Sequence, residues 1–103
     1  MTASPNQTAR PLSADVVLRK SDRSAWQNFD QEVVLLDMPS RTLFGLNSVG
    51  GLVWDSVDGQ RTLEEIAGKV AERFDQAQER VLADVLRFAG ELMARGCLEI
   101  SEP

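Results

Sequence analysis

Few side chains in this sequence are suited to catalysis or metal binding. The chain contains no histidine and one cysteine, Cys97. Histidine is the commonest general base and metal ligand, and a lone cysteine forms neither an intrachain disulfide nor a zinc cluster. Asp37, Asp55 and Asp58 lie near predicted turns, where capping and solvation explain them. The sequence therefore predicts no catalytic residue, no metal site, no cofactor, and a buried Cys97.

Two catalytic or carrier interpretations compete with this one. In the first, two of the three aspartates meet in space as an acid–base pair of an enzyme that acts alone. In the second, Asp55-Ser56-Val57 is the Asp-Ser-hydrophobic site at which a carrier protein accepts phosphopantetheine. That serine should begin a helix after a loop, whereas Ser56 ends a predicted apolar helix that follows strands.

Length, charge and hydropathy argue against several other classes of protein. The chain has 103 residues, which fits one domain, and its formal net charge is −5 with 11 Lys and Arg scattered among 16 Asp and Glu. Nucleic-acid-binding proteins usually carry a basic surplus that neutralises phosphates. The longest apolar runs, Val33–Leu36 and Gly50–Trp54, are far too short to cross a bilayer, and no N-terminal segment resembles a signal peptide. We therefore expect a cytoplasmic protein that binds neither nucleic acid nor membrane.

The chain divides into a polar tail and one domain. Residues 1–13 contain two prolines and no apolar periodicity, which predicts a flexible tail, and residues 14–101 form the domain. Val16–Leu18 leads into an edge strand. Trp26–Phe29 opens a second strand that resumes at Glu32–Asp37.

Thr42–Leu46 is the third predicted strand. Side chains alternate between the two faces of a strand. One face of this strand carries Thr42, Phe44 and Leu46, and the other carries Leu43 and Gly45. If the first set faces the core, Leu43 is left as an outward apolar contact.

A first helix follows this strand. Asn47 or Ser48 caps its start, and Asp58-Gly59 ends it because glycine adopts the left-handed conformation at a helix end. Its predicted apolar face consists of Val49, Leu52, Val53 and Val57, with Trp54 nearby.

The second helix begins with a capping box formed by Thr62 and Glu65. It extends from Leu63 to about Phe74, and its core stripe is Ile66, Val70 and Phe74. The third helix runs from about Gln76 to Arg95, and Gly96 ends it. Leu98–Ile100 is a predicted short terminal strand.

The third helix has an unusually wide apolar surface. At about 100° per residue its apolar residues form two adjacent columns, namely Phe88, Val81, Leu92 and Val85, and then Ala89, Leu82, Met93 and Leu86. A strip of small residues, Ala83, Gly90 and Ala94, lies beside the second column. Gly90 costs about 1 kcal/mol relative to alanine, which favours a close approach of another backbone. In the alternative, both columns simply serve a small core.

These residues occur in an order that resembles one known family. The matching elements are Leu35–Asp37, Leu46-Asn47 with Gly50, Trp54, Asp58-Gly59 with Arg61-Thr62, Ile66-Ala67, Asp84-Val85, and Gly96 with Leu98. Together they resemble the PqqD-like family, the RiPP recognition elements, over roughly residues 15–100. The Leu-Asn before the first helix is closer to the broader PqqD-like and lasso-associated members than to those of pyrroloquinoline quinone synthesis.

The resemblance implies a fold and a function. The fold is α+β and winged-helix-like, a three-stranded antiparallel sheet followed by a three-helix bundle. The function is non-catalytic: such domains bind the leader segment of a ribosomally synthesised precursor peptide and present it to a modifying enzyme, a radical SAM protein or a leader peptidase. The leader adds as a strand to the third strand and lies against the third helix.

A groove between the third strand and the third helix is therefore the predicted peptide site. An edge strand offers unpaired backbone groups that a peptide can satisfy by β-augmentation. The predicted peptide-binding residues are Arg41, Thr42, Leu43, Phe44 and Gly45 on the strand and Leu82, Ala83, Leu86, Arg87, Gly90 and Met93 on the helix. Arg41 and Arg87 are suited to an acidic leader, although solvated surface explains either arginine alone. The exposed strand allows a monomer or a homodimer.

A winged-helix DNA-binding regulator is the alternative function, since its three-helix pattern is compatible with this chain. The third helix carries three acidic residues, Glu79, Asp84 and Glu91, against three basic ones, Arg80, Arg87 and Arg95. A recognition helix that faces phosphates usually has a clearer basic bias. The charge pattern therefore favours the peptide-binding function.

Overall fold

Five strands and three helices make up the part of the chain that the structure describes. The structure is a computed structural model that describes residues 12–30 and 32–101. The elements are strands β1 (Leu18–Lys20), β2 (Trp26–Phe29), β3 (Glu32–Asp37) and β4 (Thr42–Leu46), helices α1 (Ser48–Ser56), α2 (Leu63–Phe74) and α3 (Gln78–Ala94), and strand β5 (Leu98–Ile100). This arrangement confirms the predicted α+β class, with a three-stranded antiparallel sheet followed by three helices. Residues 1–11 of the predicted flexible tail lie outside the described part of the chain.

The three-stranded sheet has the order β2-β3-β4, and both of its pairings are antiparallel. Leu35 in the central strand lies opposite Trp26 on one side and Phe44 on the other. Leu35 and Val33 are fully buried, because this face of β3 packs onto the helices. Thr42–Leu46 has a described neighbour, β3, on one side only, so it is an edge strand of this sheet, as the sequence predicts.

The make-up of the sheet differs from the prediction at its first strands. Trp26–Phe29 and Glu32–Asp37 are two antiparallel strands of a hairpin, not one interrupted strand. Asp30 reverses the chain at φ 55°, a left-handed conformation that the short polar side chain of aspartate tolerates. The prediction missed this turn because it contains no glycine or proline.

The predicted first and last strands form a separate two-stranded sheet. β1 pairs antiparallel with β5, so that Leu18 lies opposite Ile100 and Lys20 opposite Leu98. Both strands were predicted from their apolar residues, but their pairing joins positions at opposite ends of the domain. No local pattern indicates such a distant partner.

The helix starts follow the predicted capping chemistry, with one exception. The Gly50 N–H donates to the Asn47 side chain at 2.9 Å and so caps α1. The capping box of α2 is complete, since the Glu65 N–H donates to Thr62 Oγ1 and the Thr62 N–H to Glu65 Oε1. Helix α3 begins at Gln78, two residues later than predicted, because Asp75 takes a left-handed conformation at the end of α2.

The core lies between the inner face of the sheet and the three helices. Trp54 is its largest fully buried side chain, and Val53 and Val57 accompany it from the first helix and its C-cap. The predicted apolar face of α1 is wrong at Val49, which is 40% exposed. The helix is instead rotated so that Gly50 and Trp54 face inward, because Trp54 buries more apolar area than a valine.

Lys20 connects β1 to α1 and β2. Its Nζ donates to the Val57 carbonyl at 2.8 Å. The same ammonium lies 5.0 Å from the ring centroid of Trp54 and 5.8 Å from that of Trp26, distances at which a cation is attracted to an aromatic face. Burial lowers the pKa of Lys20, opposed by the charges of Asp55 and Asp58.

Candidate functional site

The outer edge of β4 is free in the described part of the chain. The sheet order places β4 beside β3 on one side, and no other described strand pairs with it. Unpaired backbone groups along such an edge are available to another strand. The hydrogen-bond pattern of β3 shows which residues carry these groups.

The direction of the β3 backbone groups follows from one hydrogen bond. The Leu36 N–H donates to the Ala25 carbonyl at 3.0 Å, so that Leu36 directs its groups towards β2. Successive residues of an antiparallel strand direct their N–H and C=O groups to opposite sides. Leu35 therefore bonds in the other direction, to its partner Phe44 in β4.

The same alternation shows which backbone N–H and C=O groups of β4 point to the free edge. Since Phe44 is bonded to β3, its neighbours Leu43 and Gly45 direct their N–H and C=O groups to the free edge. The Leu43 side chain is 70% exposed. A Cβ atom at Gly45 would meet no other atom within 4 Å. Leu43 and Gly45 are therefore exposed positions whose backbone groups point to the free edge.

A groove lies between the end of β4 and helices α1, α2 and α3. It has a volume of about 620 Å³, and we call it the β4–α3 groove. Gly45, Leu46 and Asn47 line it on the strand side, and Arg80, Asp84 and Phe88 on the helix side. The floor is apolar, with contributions from Val53, Val81 and Val85. The groove thus combines an apolar floor with a charged rim beside the free edge.

A close approach between α1 and α3 shapes the floor of this groove. A Cβ atom at Gly50 would lie 3.1 Å from Cζ of Phe88 and 3.4 Å from Cβ of Leu46. An alanine there would require the Phe88 ring to shift by a few tenths of an ångström. Gly50, which the sequence singled out as part of a motif, therefore sets the position of Phe88.

The predicted helix residues only partly line this groove. Arg87 does, together with Arg80, Asp84 and Phe88, and we call these four the near flank of α3. We call the residues Leu82, Leu86, Gly90 and Met93 the far flank. With about 100° per residue around the helix axis, they lie about 120° to 180° away from Asp84. Ala83 is exposed between the two flanks. None of the four far-flank residues lines the β4–α3 groove.

The far-flank residues lie in other surroundings. Leu82 borders a shallow depression with Glu64, Gln78 and Glu79. Met93 borders another with Arg41, at the turn between β3 and β4. A Cβ atom at Gly90 would meet nothing within 4 Å, so the space there is open to solvent.

Phe44 connects the strand to the end of α3. The guanidinium carbon of Arg95 lies 4.3 Å from the centroid of the half-buried Phe44 ring. Arg95 also forms an ion pair with Asp37 at 3.9 Å, and its carbonyl accepts from the Met38 N–H at 3.1 Å. Arg95 therefore joins the turn between β3 and β4 to α3, a role that sequence reasoning did not assign.

The near flank includes residues that the predicted site omitted. Phe88 was placed in the core column, and the structure shows it half-buried with its ring in the groove. Asp84 appeared in the prediction as a family motif residue and in the charge balance of the third helix, and it forms an ion pair with Arg87 at 3.4 Å. Both partners are more than half exposed, so the pair contributes at most about 1 kcal/mol. The helical spacing of Asp84, Arg87 and Phe88 was the signal available in the sequence.

The groups suited to chemistry have structural roles. Cys97 is fully buried, and burial raises the pKa of its thiol, with a further contribution from the Asp37 charge. A protonated buried thiol is a poor nucleophile, so the predicted packing role is confirmed. The Asp58 carboxylate accepts from the N–H groups of Arg61 and Gln60, and these hydrogen bonds lower its pKa.

The carrier-protein alternative is wrong. Ser56 is 2% exposed, and its hydroxyl donates to the Leu52 carbonyl at 2.7 Å. A phosphopantetheine attachment serine must be accessible to a transferase, whereas this one is enclosed at the end of α1.

Within positions 12–30 and 32–101, no group of three or more His, Cys, Asp or Glu side chains is placed to hold a metal ion. No helix in this part of the chain is long and apolar enough to span a membrane.

Comparison with known sequences gives two matches. The family model described as coenzyme PQQ synthesis protein D (PqqD) matches residues 32–98. The PqqA binding protein of Rhizobium meliloti (strain 1021) is 36% identical over 69 residues, which are 67% of this chain and 68% of that protein.

Comparison with solved structures gives two similar folds. TbiB1 in complex with the TbiA(beta) leader peptide is 30% identical with a TM-score of 0.70, over 79% of this chain and 94% of that chain. The PqqD truncation of Methylobacterium extorquens PqqCD, a stand-alone RiPP recognition element, is 27% identical with a TM-score of 0.72, over 91% of this chain and 98% of that chain.

Proposed function

The chain belongs to the PqqD family, and we propose that it binds a precursor-peptide leader as an added strand on the free edge of β4. The family predicted from the sequence is thereby confirmed. Its members are non-catalytic recognition proteins, which agrees with the prediction that the chain is not an enzyme. The comparisons give no support to the DNA-binding alternative.

The free edge of β4 beside the β4–α3 groove is the observation that carries this proposal. Leu43 and Gly45 each offer one N–H and one C=O to an incoming strand. Such main-chain bonds provide affinity in β-augmentation, and pockets for alternate side chains provide specificity. TbiB1, a similar fold, was solved with a leader peptide bound.

The groove suggests the chemistry of the leader. Its apolar floor around Phe88 suits one or two large apolar side chains that project from the added strand. Arg80 and Arg87 at the rim suit an acidic leader residue, and Arg41 at the start of β4 suits another. We propose that Arg41, Thr42, Leu43, Phe44 and Gly45 form the strand side of the site and the near flank of α3 the helix side.

The peptide is proposed to pass from this protein to an enzyme. The binding mode leaves the part of the precursor beyond the leader unbound, so that a second protein can act on it. A radical SAM protein or a leader peptidase is the proposed partner, as the family resemblance implies.

The test is a fluorescence-anisotropy titration with leader peptides encoded beside this gene. We expect saturable binding with a micromolar or lower Kd for one leader and none for its scrambled version. Gly45→Pro removes an edge N–H without disturbing the bonds to β3. It should raise the Kd at least tenfold, about 1.4 kcal/mol.

Gly45→Ala is the matched control for this variant. It keeps the N–H, and its Cβ has open space, so it should bind like the native chain. Equal binding by the proline and alanine variants would place the peptide elsewhere than the edge of β4. Loss of binding in both would mean that the added atoms, not the N–H, are responsible.

A further inference from the structure

A second depression lies at the start of β4, at the other end of this strand from the β4–α3 groove. It has a volume of about 650 Å³ and lies where the loop between β1 and β2, the turn between β3 and β4 and the end of α3 meet. It shares no lining residue with the groove. We call it the turn depression, and its lining includes Leu36, Met38, Met93 and Gly96, with Arg23 and Arg41 at the rim.

The floor of the turn depression is apolar and is held by close backbone contacts. Leu36, Met38 and Met93 are half-buried there. The Met38 N–H donates to the Arg95 carbonyl at 3.1 Å, and a Cβ atom at Gly96 would lie 3.1 Å from Met38. Methionine side chains adapt to apolar partners of different shapes. The floor is therefore suited to one apolar side chain of another molecule.

The rim of the turn depression is basic. Arg23 and Arg41 are both exposed, and neither forms an ion pair with an acidic residue in the described part of the chain. Of the described residues that line the depression, none is acidic. This surface therefore has a local positive charge in a protein whose formal net charge is −5, and carboxylates are the groups that complement it.

Arg41 occupies a backbone conformation that favours glycine. Its φ is 61°, in the left-handed region that costs a residue with a Cβ atom conformational energy, and its N–H donates to the Asp37 carbonyl at 2.7 Å. Glycine would adopt this conformation without the steric cost. Residues held in such conformations cluster at binding sites, which favours a role for the Arg41 side chain.

The direction of β4 connects the turn depression to the proposed peptide edge. β4 runs from Thr42, next to Arg41, to Leu46 at the groove. Antiparallel pairing is slightly more stable per residue than parallel pairing. A leader added antiparallel to β4 therefore begins at the groove and leaves the edge beside Arg41. The part of the precursor that follows the added strand starts next to the turn depression.

We propose that the turn depression is a second subsite for the precursor peptide, which takes the segment that follows the added strand. The proposal rests on the proposed function. The segment it fits carries an apolar side chain for the floor and an adjacent Asp or Glu for Arg23 and Arg41. Because the added strand holds this segment nearby, its effective concentration at the depression is high, so weak contacts there increase the overall affinity.

A truncation series of the leader encoded beside this gene tests the proposal. The peptides carry a fluorophore at the N-terminus and are shortened residue by residue from the C-terminus, and anisotropy gives each Kd. We expect two separate losses, the first of about fivefold when the segment is removed and the second when the strand itself is lost. A single loss at the strand would overturn the second subsite and leave the proposed function intact. A full leader that does not bind would overturn both.

Two variants of the protein assign the first loss to the turn depression. Arg23→Gln should weaken binding of the full leader about threefold, as expected of an exposed ion pair, and Met38→Ala should weaken it through the floor. Both should bind the peptide that lacks the segment with the native Kd, because the contact is then absent in either case. Circular dichroism checks that both are folded.

Lys69→Gln is the matched control for Arg23→Gln. It removes one positive charge at an exposed position of α2, a helix that does not line the turn depression. It should leave the Kd of both peptides unchanged. Equal weakening of the full and the shortened leader by Arg23→Gln would overturn the subsite, because the arginine would then act on the whole peptide. Native binding of the full leader by both depression variants would also overturn it.

Discussion

The two flanks of α3 differ in composition and in what they face: the near flank joins three charged residues to Phe88, whereas the far flank is apolar apart from Gly90. The near flank places Phe88 and Asp84 in the β4–α3 groove. The far flank has Leu86 half-buried at another surface and Gly90 in open space. Amphipathic spacing thus identifies a wide apolar surface on α3, whereas the strand that lies beside the helix decides which flank lines the β4–α3 groove.

The largest expected effect comes from truncating one apolar side chain on each flank. Phe88→Ala should raise the leader Kd at least tenfold, about 1.4 kcal/mol, because the ring forms the floor of the groove. Leu86→Ala should change the Kd less than twofold, although both variants lose stability, by less than the roughly 2–5 kcal/mol of fully buried positions because both side chains are half-buried. Anisotropy titration and urea denaturation measure the two quantities. Equal losses of binding would contradict the assignment of the flanks.

Alanine substitutions at Gly90, on the far flank, and at Gly50, which lies on α1 against Phe88 of the near flank, each add one methyl group beside α3. Gly90→Ala should stabilise the protein by up to about 1 kcal/mol, the helix-propensity gain in open space. Gly50→Ala should gain less or lose stability, because its Cβ would lie 3.1 Å from Phe88. Thermal denaturation checks both variants. The interpretation of Gly50 as a packing requirement fails if the two gain equally.

Gly90→Leu distinguishes the peptide site proposed at the near flank of α3 from the site at the small-residue strip that the sequence predicted. If the small-residue strip held the peptide, this substitution would weaken binding. With Gly90 on the far flank, the leader Kd should stay within about twofold of the native value, well under 1.4 kcal/mol. A tenfold loss in the anisotropy assay, with the fold intact by circular dichroism, would return the peptide to the far flank.

Arg87 should have a smaller, salt-dependent effect. Arg87→Gln is expected to weaken binding of an acidic leader about threefold in low salt, with the difference lost in high salt because exposed charges are screened. Arg19→Gln removes a similar exposed arginine on β1, where Arg19 pairs with Glu99, and should not change binding. Titrations at two salt concentrations make the comparison. A salt-independent loss would indicate a packing role for Arg87.

The smallest expected effect concerns acid stability. Hydrogen bonds from Arg61 and Gln60 lower the pKa of Asp58, so its contribution is present above the unfolded pKa of about 3.9. It is lost as pH falls through the lower folded pKa. Asp58→Asn should therefore flatten the fall in melting temperature below about pH 4. Identical acid profiles for the two proteins would show that this carboxylate does not contribute.

Local chemistry in the sequence determined much of the fold. Capping residues, alternation in Thr42–Leu46 and the periodicity of α2 and α3 each act over a few positions, so they can be read along the chain. The order of the motif residues indicated the family. The sequence did not predict the turn at Asp30, because its left-handed residue is an aspartate. It also did not predict the rotation of α1, because Trp54 competes with Val49 for the interior.

Tertiary structure alone decided which surfaces meet. The pairing of β1 with β5, the direction of the backbone groups at Leu43 and Gly45, and the choice of the near flank of α3 all depend on contacts between distant segments. Helical spacing leaves the rotation of α3 against the sheet undetermined, because two apolar columns satisfy the core almost equally well. Burial of Val81, Val85, Ala89 and Leu92 sets that rotation, and it places Phe88 beside Gly50 in the β4–α3 groove.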